Sequence, residues 1–317
     1  MAGPAQTAVL NTALRLGVVD ALEAGQKTTA ELAQQCQLKP HAVQCLMQTL
    51  CSTGMTEQFD EYYALSQAGR LASKALWSIV FDNWTGLEAA VRQEDPAVQE
   101  QTDQQQQIRQ RRFDQFKAIH TQVQWAATGV ALNACEALGI GGERQSMRIL
   151  DIGCGSAVYS MAFAHRDHAA TLVLVDDAVG LARAQTTVSS LQAEDRVTSV
   201  ESAELVFPGE NESFDLVLIS DRIHLLQPDV RQRVIATAMR VLKPGGELAI
   251  IDVFAGQAEG NLNVHLFELQ LLVGTGDSLL TLETAKELLD AAGFQSIQYT
   301  HLPVAPHTHG LVLAAKP

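Results

Sequence analysis

Between residue 147 and residue 317, apolar runs of strand length alternate with helical stretches, and no other feature constrains the fold as strongly. The runs fall at 148–152, 172–175, 197–200, 214–219 and 248–253, with two more near 296–301 and 310–314. Helical periodicity fills the stretches near 178–191, 229–242 and 281–292. A strand that is apolar from end to end is buried on both faces, which a parallel sheet covered by crossover helices provides. The pattern predicts an α/β domain built on a doubly wound, mostly parallel, seven-stranded sheet. The last two strands follow one another without a helix, so they are expected to form an antiparallel hairpin at one edge.

Residues 7–75 read differently. Ala8, Leu10, Ala13, Leu14, Leu16, Val19 and Leu22 recur at helical spacing. Thr28 and Thr29 ahead of Glu31 give a helix start, with a hydroxyl cap and an acid in the first turn. Pro40 opens a further helix through Val43, Leu46, Met47 and Leu50. Residues 54–57 and 62–65 flank a polar turn and predict a two-stranded wing. Short helices followed by a wing describe a mainly helical winged-helix domain. Its first 75 residues hold five basic and six acidic side chains, without the basic stripe that DNA binding needs. Contact with another protein is the better use of such a domain. The expected organisation is a winged-helix domain over 1–100, linker helices over 101–146 and an α/β domain over 147–317. Within the linker, an amphipathic helix is expected over 113–138, and Gln104 to Gln107 form a solvated polar run.

The formal net charge of −14 repels phosphate backbones and anionic membranes, so neither is an expected partner. Five cysteines, none spaced as Cys-x-x-Cys, suggest neither a disulfide frame nor a metal site. The first ten residues lack a basic stretch followed by an apolar one, and no run of 18 apolar residues occurs. The expectation is a chain without a leader or membrane span, located in the cytoplasm.

The first strand of the α/β domain runs into Asp151-Ile152-Gly153-Cys154-Gly155. Glycines there let a backbone approach a ligand at the carboxyl ends of the strands, where open α/β sheets bind. Asp151 lies directly before the glycines, and a carboxylate there suits a cationic amino-acid group better than a pyrophosphate. Asp176 ends the second strand and is placed to bind both hydroxyls of a ribose. Leu242-Lys243-Pro244-Gly245-Gly246 precedes the fifth strand.

Taken together, these motifs resemble the class I S-adenosylmethionine (SAM) dependent methyltransferases, whose catalytic domain is Rossmann-like. Ala13-Leu14-Arg15-Leu16-Gly17-Val18-Val19-Asp20-Ala21-Leu22, Glu31-Leu32-Ala33 and Tyr63-Ala64-Leu65-Ser66 resemble one branch, the small-molecule O-methyltransferases that dimerise through a winged-helix domain. The likeness runs from about residue 7 to residue 315. It implies SAM as cofactor, S-adenosylhomocysteine as product, a homodimer, and a small-molecule acceptor such as an aromatic or polyketide-like hydroxyl. It also implies that Asp151, Gly153 and Gly155 line the cofactor pocket and that Asp176 holds the ribose. Ser202 and Ala203, with Glu204 beside them, fall near the adenine, and Ser220 ends the fourth strand beside the pocket.

A hydroxyl near pKa 10 gains from a general base. His224, just after the fourth strand, matches the family's catalytic histidine, and Asp252, ending the fifth, matches the acid that orients it. The chain departs from the family pattern in three places. Leu225-Leu226 stands where Asp-Trp is usual, Leu279 falls where a second acid is usual, and Ala157 replaces a third glycine. These departures keep open a carbon- or nitrogen-directed transferase of the same fold and a non-catalytic relative. His265 with Glu268, and His120, are further candidates to face the pocket. His301, His307 and His309 near the last strands do not require a metal. Phe81, Trp84, Phe113, Phe116 and Trp125 could wall an acceptor pocket or simply be core.

Overall fold

The computed structural model describes residues 2–71, 84, 86–92, 114, 124–256, 262–302 and 309–317. The chain divides into two compact units, residues 1–86 and 87–317.

The first unit packs helices α1 (Ala2–Arg15), α2 (Val18–Glu23), α3 (Thr29–Gln35) and α4 (Pro40–Ser52) around a small sheet. Leu10, Leu14, Val18, Leu22, Leu32, Met47 and Leu50 form its core, joined by Tyr63 and Leu65. The expected start of α3 is a capping box. Glu31 N donates to Thr28 Oγ1 at 3.2 Å, and Thr28 N donates back to Glu31 Oε2 at 2.7 Å. The wing consists of β2 (Thr56–Phe59) and β3 (Tyr62–Leu65), paired antiparallel across a turn at Asp60. A two-residue strand, β1 (Lys27–Thr28), adds to the other side of β3. A strand that short has no alternation for sequence reading to detect. Helix α5 (Gln67–Leu71) follows the wing.

The second unit begins with α6 (Leu87–Arg92) and is built on β4 (Arg148–Ile152), β5 (Thr171–Asp176), β6 (Val197–Glu201), β7 (Phe214–Ser220), β8 (Leu242–Asp252), β9 (Gln295–Leu302) and β10 (His309–Ala315). Their order is β6-β5-β4-β7-β8-β10-β9. The first five strands run parallel, and β10 pairs antiparallel with both β8 and β9. β10 therefore inserts between β8 and β9, leaving β9 at the edge. Alternation along β4 sends Ile149 to one apolar cluster, with Phe163, Leu172 and Leu216. It sends Leu150 and Ile152 to the other, with Val217, Ile235 and Leu289. Both faces are covered, as end-to-end apolar strands require.

Helices α9 (Ala178–Ser190), α10 (Pro228–Val241) and α12 (Leu282–Ala291) lie where the periodicity predicts them. Helices α8 (Val158–Arg166) and α11 (Leu262–Thr275) were not predicted. Six of the nine α8 residues are buried, and α11 is apolar nearly all round, so neither shows a clean polar face. Of the helix expected over 113–138, residue 114 is described as helical, and from residue 124 the chain forms a 3₁₀ turn, Gln124–Ala127, followed by α7 (Thr128–Ala137). Gln104 to Gln107, Phe81, Phe113, Phe116, His120 and His307 lie outside the described residues, as does the side chain of Trp125. Among the described residues no helix is long and apolar enough to cross a membrane.

Candidate active site

The chain turns from β4 outward to β5 and β6, then crosses to β7 and β8 on the other side. The crevice at that reversal, outside the carboxyl ends of β4 and β7, is where open α/β sheets hold ligands. The turn after β4 bends back over β5, with Gly153 N donating to Val175 O at 2.7 Å. Gly153 and Gly155 take left-handed φ values of +78° and +56°. A Cβ built on Gly153 would lie 2.6 Å from Arg222 Cγ, and one on Gly155 would lie 2.3 Å from Gln124 Oε1. Ala157, at the third position, keeps a left-handed φ of +58°, at a cost of roughly 1–2 kcal/mol for a residue with a Cβ. It caps α8 and is fully buried in the apolar cluster that includes Val130 and Ala131.

Asp151 is buried beneath this turn. One carboxylate oxygen accepts a short hydrogen bond from Ser160 Oγ, while Oδ1 is buried without a partner among the described residues. Burial pushes its pKa up to about 7; Asp176 raises it further, while the Ser160 bond and Arg222 oppose the rise. Asp176 is fully buried at the end of β5. Its Oδ2 accepts from Gly155 N at 2.8 Å; its Oδ1 accepts from Asp177 N at 2.8 Å and from Arg222 Nη2 at 2.9 Å. Gly180 is needed beneath it, since a Cβ there would strike the Asp176 carboxyl carbon at 2.5 Å. Ser202 N donates to Asp176 O at 2.9 Å, and Ser202 Oγ accepts from Val206 N at 3.0 Å. Ala203 and Glu204 beside it are exposed, and Ser220 is buried.

Across the crevice, β7 ends at Ser220 and the chain passes through Asp221 into a 3₁₀ turn, Ile223–Leu225. His224 is 2% exposed, and its Nδ1 lies 2.6 Å from Asp252 Oδ1. Asp252 Oδ2 accepts from Ile223 N at 3.0 Å and His224 N at 3.4 Å, while Val253 N donates to Oδ1 at 2.7 Å. The Phe267 ring meets the imidazole edge to face, with centroids 5.2 Å apart. Leu225 and Leu279, where the family carries polar residues, share one apolar cluster with Val253, Val264, Phe267 and Leu271. The two departures thus belong to the same packing arrangement.

The crevice gathers Asp151, Gly153, Gly155, Asp176, Ser220, His224 and Asp252 from four strand ends. His265 and His301 are exposed. Sequence reading missed Gln124, whose Oε1 accepts from Ser156 N at 2.7 Å and Ser156 Oγ at 2.9 Å. It also missed a second histidine–carboxylate pair. His309 Nε2 lies 2.9 Å from Asp221 Oδ1, and Tyr159 OH donates to Asp221 Oδ2 at 2.9 Å. The available signal was Asp221-Arg222, two charged residues directly after a strand that is otherwise almost wholly apolar.

A glycine turn with no room for a Cβ, and a buried carboxylate oxygen with no hydrogen-bond partner among the described residues, fit an adenosyl amino acid. The comparisons agree. The family model for an O-methyltransferase dimerisation domain matches residues 1–74, and that for a methyltransferase domain matches 149–246. O-methyltransferase rstn1 of Aspergillus nomiae is 30% identical over 173 residues, 51% of this chain and 72% of that protein. The chain belongs to the SAM-dependent O-methyltransferases. Solved structures share the fold across nearly the whole chain. The solved structure of human N-acetylserotonin methyltransferase in complex with SAM is 19% identical, with a TM-score of 0.71. That match covers 99% of this chain and 95% of the human one. The N,N-8-amino-8-demethyl-D-riboflavin dimethyltransferase RosA of Streptomyces davawensis is also 19% identical, with a TM-score of 0.73, covering 98% and 95%. By sequence, this chain spans between 30% and 78% of the length of the curated relatives it matches. SAM is its cofactor.

Proposed function

We propose that the chain transfers a methyl group from SAM to a hydroxyl of a small aromatic or polyketide-like molecule, with His224 as general base. The observation that carries this reading is the buried His224–Asp252 pair at the carboxyl ends of β7 and β8. With Nδ1–H held by the carboxylate, the imidazole keeps the tautomer whose Nε2 can take a proton. The acceptor's O–H proton would pass to Nε2, and Asp252 would stabilise the resulting imidazolium. Bound SAM would supply a methyl group activated by the positive sulfur, its carbon–sulfur bond breaking to leave S-adenosylhomocysteine as the acceptor oxygen takes the methyl.

The chain's own residues then divide the binding. Asp151 Oδ1 receives the cofactor's ammonium, Gly153 and Gly155 allow close approach, Asp176 takes the ribose hydroxyls, and Ser202 and Ala203 flank the adenine. Ser220 lines the crevice between cofactor and base. The apolar cluster of Leu225, Phe267 and Leu279 keeps water from the base and favours an aromatic acceptor. The first unit makes a homodimer, a reading supported by its match to a dimerisation domain.

A second reading, transfer to nitrogen or carbon, is favoured by Leu225-Leu226 and by the amine-directed name of RosA. The test is a panel of small phenols and aromatic amines incubated with methyl-labelled SAM. Label on phenols, lost in His224→Ala, supports the proposal; label only on amines, retained in His224→Ala, selects the second reading. Cofactor binding with no label on any acceptor would point to a non-catalytic relative.

A further inference from the structure

The Asp176 carboxylate, read here as the ribose ligand, is already engaged on both oxygens by the chain itself. Its Oδ2 is held by the glycine turn, and its Oδ1 by a backbone amide and by Arg222 Nη2. Both side chains of that ion pair are buried, 7% and 1% exposed. To reach Asp176, Arg222 lays its aliphatic stem along the open face of Gly153, with Cγ and Nε 2.6 and 2.8 Å from where a Cβ would stand. The Arg222 side chain therefore covers the face that Gly153 keeps open. Gln124 does the same one step along, capping Ser156 N against the face of Gly155.

We propose that Arg222 sets cofactor affinity by competing with the ribose of SAM for Asp176. Cofactor entry is then an exchange in which Arg222 leaves Oδ1 and a ribose hydroxyl donates to it. The pair is suited to exchange because it is incompletely satisfied. Among the described residues Nε of Arg222 is buried without a hydrogen-bond partner, and a buried ion pair is tight only when its remaining donors are also met. This inference rests on Asp176 as the ribose ligand.

The test is calorimetry of SAM and S-adenosylhomocysteine on the full chain as wild type, Arg222→Met, Asp176→Ala and the double variant. The expected result is that Arg222→Met lowers Kd at least tenfold for both ligands, since both carry the same ribose. Asp176→Ala is expected to raise Kd at least tenfold, and by more when made in the Arg222→Met background. Arg222→Gln, which keeps a polar group of similar reach without charge, gives the same reading should the methionine variant fail to fold. An unchanged or higher Kd in Arg222→Met and Arg222→Gln, with Asp176→Ala still weakening binding, overturns the competition while leaving the ribose ligand in place. Binding that Asp176→Ala does not weaken overturns both.

Discussion

Asp252 joins two jobs at one carboxylate: one oxygen meets His224 Nδ1 at 2.6 Å, and the other gathers the backbone amides of Ile223 and His224. The residue that orients the base also shapes the turn that carries it. Asp252→Asn replaces an acceptor with an amide that meets N–H donors. It is expected to slow methyl transfer by about 10²–10⁴-fold. It is also expected to cost about 1.5–3 kcal/mol of stability, because a hydrogen bond to a buried charged acceptor is lost. Denaturant unfolding alongside turnover checks both halves; full stability with lost turnover would mean that the backbone bonds to Oδ2 contribute little.

Asp151 gives the fold a pH dependence of unusual sign for a carboxylate. Its pKa is pushed up to about 7 from an ordinary value of 3.8 by burial first, with Asp176 adding to the rise. The native state therefore holds a proton that the unfolded chain has lost between those values. Stability contributed by this group is present below about pH 4 and is lost as pH rises toward 7, roughly 4 kcal/mol in all at about 1.4 kcal/mol per unit. Asp151→Asn should remove most of that slope in unfolding measured from pH 4 to 8 without ligand. An identical slope in the variant would place the titration elsewhere.

Gly153→Ala puts a Cβ into a left-handed turn and against the Arg222 stem. The backbone term alone is about 1–2 kcal/mol, which corresponds to a melting temperature about 2–8 °C lower for a domain of this size. An unchanged melting temperature would mean that the turn relaxes at no cost.

Tyr159→Phe removes one donor to Asp221 and changes nothing else in volume. Tyr159 is fully buried, and its ionisation is pushed well above the usual range by burial and by Asp221, so it acts as a hydrogen-bond donor throughout the accessible pH range. The expected loss is about 1.5–3 kcal/mol, as for a hydrogen bond to a charged group. Chemical denaturation measures it, and a neutral substitution would mean that Asp221 is satisfied without the tyrosine.

Much of this architecture was legible in the residues because the determinants are local. End-to-end apolar strands, Thr28 with Glu31, and the glycines after Asp151 each act within a few positions of themselves. What could not be read depends on side chains meeting across the fold. Arg222 and Asp176 are 46 positions apart, and His309 and Asp221 are 88 apart. Nothing in the spacing of either pair marks it. The joint packing of Leu225 and Leu279 is of the same kind: two departures that look unrelated in sequence occupy one cluster. Ala157 carried a different lesson. It stands where the family carries a third glycine, yet it is buried among core residues while keeping a left-handed backbone.

The central claim is that His224 removes the proton of a hydroxyl acceptor. The most direct test is single-turnover methyl transfer from labelled SAM, comparing wild type with His224→Gln on phenols of graded acidity. The prediction is a loss of about 10²–10⁴-fold for phenols near pKa 10. That loss should shrink toward none for nitrophenols already ionised at neutral pH. An equal loss across the series would contradict a base role and leave His224 as a residue that shapes the acceptor pocket.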